Sequence, residues 1–126
     1  MLTGLHHIGV FTENIATSID FYKTLGLALD KTASIPNGTE IAFMSVGSLV
    51  LELVQPADTA SVKERKAGLV DHIAITVKDI DATITELKAK GIAIAADKAA
   101  DVTFLNSKNI FFEGPSGERL ELFEEL

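Results

Sequence analysis

The sequence predicts an α+β domain made of two tandem βαβββ modules, and three observations carry that prediction. Set against itself at an offset of 65, the chain aligns residues 7–28 with residues 72–93 without a gap, and seven of the 22 pairs are identical. These are His7/His72, Ile8/Ile73, Ile15/Ile80, Ile19/Ile84, Lys23/Lys88, Gly26/Gly91 and Ala28/Ala93. Each copy opens on apolar residues of period two and continues with apolar residues at helical spacing, so a strand precedes a helix in both. Each copy also closes on the same tripeptide, Leu51-Glu52-Leu53 and Leu120-Glu121-Leu122. A chain of 126 residues is the size of one domain. The two modules are therefore expected to share a single domain, residues 1–126, with module 1 at about 5–56, a linker at 57–68 and module 2 at about 69–126.

The elements follow in order. Ile8 and Val10 alternate with Gly9 and Phe11, which marks the first strand. Asn14 offers a side-chain oxygen for a helix N-cap, and Ile15, Ile19 and Tyr22 then recur at helical spacing. Gly26 suits the left-handed residue that ends a helix. Strands are expected near residues 28–33, 40–46 and 48–54, with Pro36-Asn37-Gly38 and Gly47 as turns. The polar segment 57–68 reads as a short helix or mobile linker with a solvated charged face. The second copy repeats the scheme: Ile73, Ile75 and Val77 in a strand, Asp79 as cap, Ile80, Ile84 and Leu87 on a helix, and Gly91 at its end. Strands near 93–96, 109–113 and 119–123 complete it, turned by Gly114-Pro115-Ser116-Gly117.

Composition limits the function. Apolar residues make up 47% and charged residues 23%, as in an ordinary globular protein. Net charge is −7, and no Lys or Arg stripe is present to neutralise a phosphate backbone, so nucleic acid is excluded as a partner. The absence of cysteine excludes disulfides, thiolate ligands and a catalytic thiol, leaving His, carboxylate and water to hold any metal. No run approaches the roughly 18 apolar residues of a membrane span, and the N-terminus has no signal-peptide pattern. A cytoplasmic location with no membrane partner is expected.

Alternation places His7, Gly9 and Phe11 on one strand face, and His72, Ala74 and Thr76 on the corresponding face of the second copy. A very small residue follows each His on its own face, which leaves space beside the imidazole. The Leu-Glu-Leu repeats put one carboxylate on each apolar closing strand. Half-sheets facing each other about a pseudo-twofold axis would form a curved mixed sheet that encloses His7, Glu52, His72 and Glu121. Two imidazoles and two carboxylates suit one divalent ion, Ni, Co or Zn first and Mn or Fe after them. Without a cation, two buried carboxylates would repel each other. His6 has Asp71 in its place in the second copy and is read as lying outside the site; Tyr22 and the Phe residues are read as core, and Glu40 as a surface residue.

These segments resemble the vicinal oxygen chelate superfamily, which includes glyoxalase I, methylmalonyl-CoA epimerase, extradiol dioxygenases and thiol-transferring fosfomycin resistance proteins. HHIGVFTENIATSIDFYKTLGL is similar to its opening strand and helix, GSLVLELVQP to its first carboxylate strand, VDHIAITVKDIDATITELKAKGI to its second strand and helix, and FFEGPSGERLELFE to its closing hairpin. The resemblance implies a glyoxalase-like fold and puts metal ligands at His7, Glu52, His72 and Glu121. It implies a metal-dependent lyase or isomerase like glyoxalase I, that is, lactoylglutathione lyase-like. Such an enzyme moves a proton next to a metal-bound carbonyl, on a hemithioacetal of methylglyoxal or a similar small molecule, with Glu121 and Glu52 as catalytic carboxylates. LNSKNIFF lacks the Gly-Gly loop of epimerases, which favours the glyoxalase side, whereas Phe11 and Pro56 stand where bacterial glyoxalase I contacts glutathione through Arg and Asn. A methylmalonyl-CoA epimerase-like enzyme and a metal-free small-molecule binder of the bleomycin-resistance kind are the alternatives. The family's habit of pairing modules implies a homodimer.

Overall fold

The computed structural model describes residues 1, 3–65, 68 and 70–126. The chain divides into two compact units, Met1–Lys66 and Ala67–Leu126. The first contains β1 (Ile8–Phe11), α1 (Ile15–Thr24), β2 (Ala28–Ser34), β3 (Glu40–Val46), β4 (Leu49–Gln55) and a short α2 (Ala60–Lys63). The second contains β5 (Ile73–Thr76), α3 (Ile80–Ala89), β6 (Ala100–Val102), a 3-10 turn (Thr103–Leu105), β7 (Ser107–Glu113) and β8 (Arg119–Glu125). Each unit holds a four-stranded mixed sheet, in the orders β1-β4-β3-β2 and β5-β8-β7-β6. In each, the opening strand runs parallel to the closing one and the remaining pairs are antiparallel. The architecture is the α+β arrangement of tandem βαβββ modules expected from the repeat.

Helix entry is built the same way twice. Asn14 and Asp79 sit in extended backbone, and their Oδ1 atoms accept the N–H of Thr17 at 3.1 Å and of Ala82 at 3.0 Å. A second oxygen reaches each helix start from the closing strand: Gln55 accepts the Ile15 N–H at 2.8 Å, and Glu124 accepts the Ile80 N–H at 3.2 Å. Two of the otherwise orphaned helix donors are thus satisfied in each unit. The helices stop at Gly26 (φ 103°) and Gly91 (φ 91°), where the next residues, Leu27 and Ile92, donate back to Tyr22 and Leu87. That is the Schellman geometry, which a residue with a Cβ resists.

Strand alternation then separates two faces. In the first unit, Val10, Ala42, Met44, Leu51 and Leu53 are buried with Tyr22 and Leu27 under the helix side. In the second, Leu120, Leu122 and Phe112 are buried with Ile80, Ile84 and Leu87. Each fully buried large aliphatic contributes about 1.5–3 kcal/mol relative to exposure. His7, Gly9 and Glu52, and likewise His72, Ala74 and Glu121, fall by alternation on the opposite face, away from the helix.

One expectation is revised. The strand expected near 93–96 is absent; the edge strand forms instead at Ala100–Val102. Alanine-rich sequence gains little from a sheet position, and this segment is tied to the helix: Lys88 pairs with Asp97, and Asp81 Oδ1 accepts the Ala99 N–H at 3.0 Å. The chain therefore follows α3 before it turns into the sheet. In the linker the short helix forms and the charged Lys63, Glu64 and Arg65 are exposed, as expected. Lys63 Nζ lies 3.6 Å from Glu13, and Arg65 lies 4.1 Å from the Phe11 ring centroid. The part of the linker at Lys66 and Ala67, and the start of module 2 at Leu69, fall outside the described residues. Among the described residues, no helix is long and apolar enough to cross a membrane.

Candidate metal centre

The parallel pairing of opening and closing strands positions the candidate ligands. Gly9 is the partner of Glu52, and Ala74 the partner of Glu121. Each Glu therefore rises beside a residue with little or no side chain, and the His two positions earlier leans over the same spot. A Cβ built on Gly9 would already lie 3.9 Å from Glu52 Oε1. A large side chain at either position would occupy the space between imidazole and carboxylate.

The four residues come together as two pairs, one in each unit. His7 Nε2 is 3.9 Å from Glu52 Oε2, with side chains 34% and 24% exposed. His72 Nε2 is 2.9 Å from Glu121 Oε2, with side chains 34% and 7% exposed. Among the described residues, neither unit gathers three or more His, Asp or Glu side chains that could hold a metal ion. Each unit thus offers half of the donor set expected from the sequence. The donors are imidazole nitrogen and carboxylate oxygen, which suit a first-row divalent ion.

The surroundings show what the sequence reading missed. An edge-on aromatic ring flanks each imidazole: Phe43 against His7 at 5.6 Å and 82°, and Phe111 against His72 at 5.1 Å and 87°. These two Phe are the cross-strand partners of Glu52 and Glu121, so they belong to the repeated constellation and not to the core. A cation caps each ring, Lys31 over Phe43 at 5.2 Å and Arg119 over Phe111 at 3.9 Å. His6, read from sequence as outside the site, places its Nδ1 2.7 Å from His7 Nδ1. Its counterpart Asp71 does the same on the other side, with Oδ2 2.8 Å from His72 Nδ1.

The two pairs differ in support. Glu121 accepts a 2.8 Å hydrogen bond from Asn109 Nδ2, which compensates the burial of its carboxylate. Ile41 stands at the corresponding place beside Val54 in the first unit, as Asn109 does beside Phe123, and has no polar group to offer Glu52. The His72 ring and the Arg119 guanidinium beside Asp71 hold its carboxyl below the usual aspartate range. Duplicate positions in the sequence signal His6/Asp71; nothing in the sequence alone points to Asn109.

Comparison with known proteins bears on the family and the fold. The profile of the glyoxalase/bleomycin resistance protein/dioxygenase superfamily matches residues 6–112. The chain is 29% identical to the mitochondrial methylmalonyl-CoA epimerase of Bos taurus over 102 residues, which are 75% of this chain and 58% of that protein. The chain thus spans little more than half the length of that relative. It is 27% identical to the metallothiol transferase FosB of Staphylococcus epidermidis over 122 residues, covering 97% of this chain and 84% of that one. The fold superposes on the fosfomycin resistance protein FosX of Listeria monocytogenes, solved with Mn(II) and sulfate, with a TM-score of 0.75 at 14% identity, covering 100% and 95% of the two chains.

Proposed function

Since the chain belongs to the glyoxalase/bleomycin resistance protein/dioxygenase superfamily, we propose that it is a divalent-metal-dependent enzyme that removes and returns a proton on carbon next to a carbonyl. The observation that carries this reading is the repeated pair, a His Nε2 and a Glu Oε2 on one sheet face beside a small residue, present in both units. In this reading His7, Glu52, His72 and Glu121 are the metal ligands, with Ni, Co, Zn, Mn or Fe as the ion. Such an ion supplies a Lewis acid at the carbonyl oxygen.

The chain's own residues supply the rest. Each carboxylate can accept the proton on an oxygen and give it back to carbon. Inversion at that carbon needs one carboxylate to take the proton from one face and a second to deliver one to the other, and Glu121 and Glu52 are the two candidates. Phe43 and Phe111 set an aromatic edge against each imidazole and help to orient it.

The substrate class favoured is an acyl thioester with an acidic α-carbon, supported by the identity with the bovine epimerase. A hemithioacetal of methylglyoxal, the glyoxalase I reaction, is the second reading. It draws on the full His/Glu set and the absence of a Gly-Gly loop in LNSKNIFF. We place the protein in the cytoplasm as a homodimer acting on a small molecule.

The test combines elemental analysis with isotope exchange. Protein incubated with Ni, Co, Zn or Mn and desalted should retain about one ion per chain. In D2O it should then wash deuterium into methylmalonyl-CoA, or into the product formed from methylglyoxal hemithioacetals. Retention of no ion after all four incubations would instead support a metal-free binder of small molecules.

A further inference from the structure

The two His–Glu pairs are unequal, and the inequality has a structural source in the second unit. His72 sits in a closed ring of contacts. Asp71 Oδ2 meets its Nδ1 at 2.8 Å, the Arg119 guanidinium bonds the same Oδ2, that guanidinium lies over Phe111 at 3.9 Å, and Phe111 returns to the imidazole edge-on at 5.1 Å. The ring leaves Nε2 as the only nitrogen of His72 turned toward Glu121. In the first unit the ring is open: the residue at Asp71's place is His6, a second imidazole with no carboxylate, and Lys31 caps Phe43 from 5.2 Å.

An imidazole can coordinate through either nitrogen, and a carboxylate on one of them fixes which nitrogen carries hydrogen and which carries the lone pair. Resting on the metal reading above, we infer that Asp71, braced by Arg119 and Phe111, is a positioning residue that commits His72 to coordination through Nε2. The His72/Glu121 pair therefore has its coordinating nitrogen set in advance by a carboxylate, and the His7/Glu52 pair has no such carboxylate. Neither Asp71 nor Arg119 is a ligand in this scheme. Asp71 touches the far side of the imidazole, and its side chain is 62% exposed.

The experiment uses the full chain with Zn(II). Affinity is measured by competition with a chromophoric chelator for the unaltered protein, Asp71→Ala, Asp71→Asn and Arg119→Ala. The ring N–H of His72 is followed by 15N-correlated NMR in the Zn-loaded samples. Asp71→Ala should weaken Zn(II) binding about 10- to 100-fold, the usual effect of removing such an outer partner, and should lose the protected His72 Nδ1–H signal. Asp71→Asn keeps an acceptor oxygen and should restore both in part. Arg119→Ala should weaken binding less than Asp71→Ala, because Asp71 remains on the imidazole. Unchanged affinity and an unchanged His72 signal in Asp71→Ala would overturn the inference while leaving the metal reading intact. Failure of the unaltered protein to bind Zn(II) would overturn both.

Discussion

Glu121 and Glu52 hold matched places in the repeat, yet their environments differ enough to separate them by substitution. Glu121→Gln keeps the shape of a buried side chain that Asn109 and His72 hold in place. It should fold, and turnover should fall about 100- to 10,000-fold, the usual worth of a general acid or base; steady-state kinetics beside a thermal melt checks both. Leu53→Ala, at a fully buried position of β4, should cost about 2–5 kcal/mol, read from urea unfolding. The His and Glu positions were legible because duplication displayed each of them twice. Phe43 and Phe111 were not, since they lie nine residues before Glu52 and ten before Glu121, and a gapless offset cannot match them. Asp71, Arg119 and Asn109 escaped for a different reason. Asp71 differs in type from its counterpart His6, Arg119 reaches Asp71 from 48 residues away and Asn109 has no polar counterpart in the first unit, and a single sequence carries no record of which oxygen meets which nitrogen.

Elements owe their boundaries to local chemistry where they were read correctly. Asn14→Ala removes the oxygen that accepts the Thr17 N–H and should cost about 1 kcal/mol, visible as a shifted urea midpoint with unchanged slope. Both caps, both helix-ending glycines and strands β3, β4, β7 and β8 were legible from patterns of a few residues. The strand expected near 93–96 failed because the following residues are tied back to side chains of the preceding helix, Asp81 and Lys88 on α3, which a strand pattern does not register. Asp81 gives that failure a measurable signature. The Ala99 N–H, and after it the charge of Lys108, hold its carboxyl below the ordinary aspartate value. A depressed value means that its contribution is complete above the unfolded-state pKa of about 3.9 and is lost as pH falls through the lower folded value. Asp81→Asn keeps the acceptor oxygen but not the charge, so its stability should decline less steeply than that of the unaltered protein below pH about 4. Equal acid limbs for the two proteins would refute the assignment.

For the whole molecule, the proposed ion is a folding ligand as well as a catalyst. Anything bound by the native state alone adds RT ln(1 + [L]/Kd), about 2.7 kcal/mol at a hundredfold excess over Kd. Chelator-treated protein should therefore melt lower than protein with Ni, Co, Zn or Mn added, and a His72→Ala variant should lose most of that difference. Identical melting curves with and without each ion would argue against the metal reading. The sheet order itself, β1-β4-β3-β2 and its copy, follows from a duplicated strand-helix opening and Leu-Glu-Leu closing, which is why the architecture was legible. Divergence between the copies was not, and it is greatest at the rims. In the first unit the outermost strand is β2, which carries Asp30 and Lys31 and shifts register between Leu29 and Lys31; charge and a bulge are two common guards against strand addition. In the second, β6 pairs only with Ser107, Lys108 and Asn109 of β7. Beyond them Phe111, Phe112 and Glu113 border an open groove with Ala93, Ile94 and Ala95. β6 therefore shields a shorter length of its neighbour than β2 does in the first unit, so the two sheets end on margins of different strength.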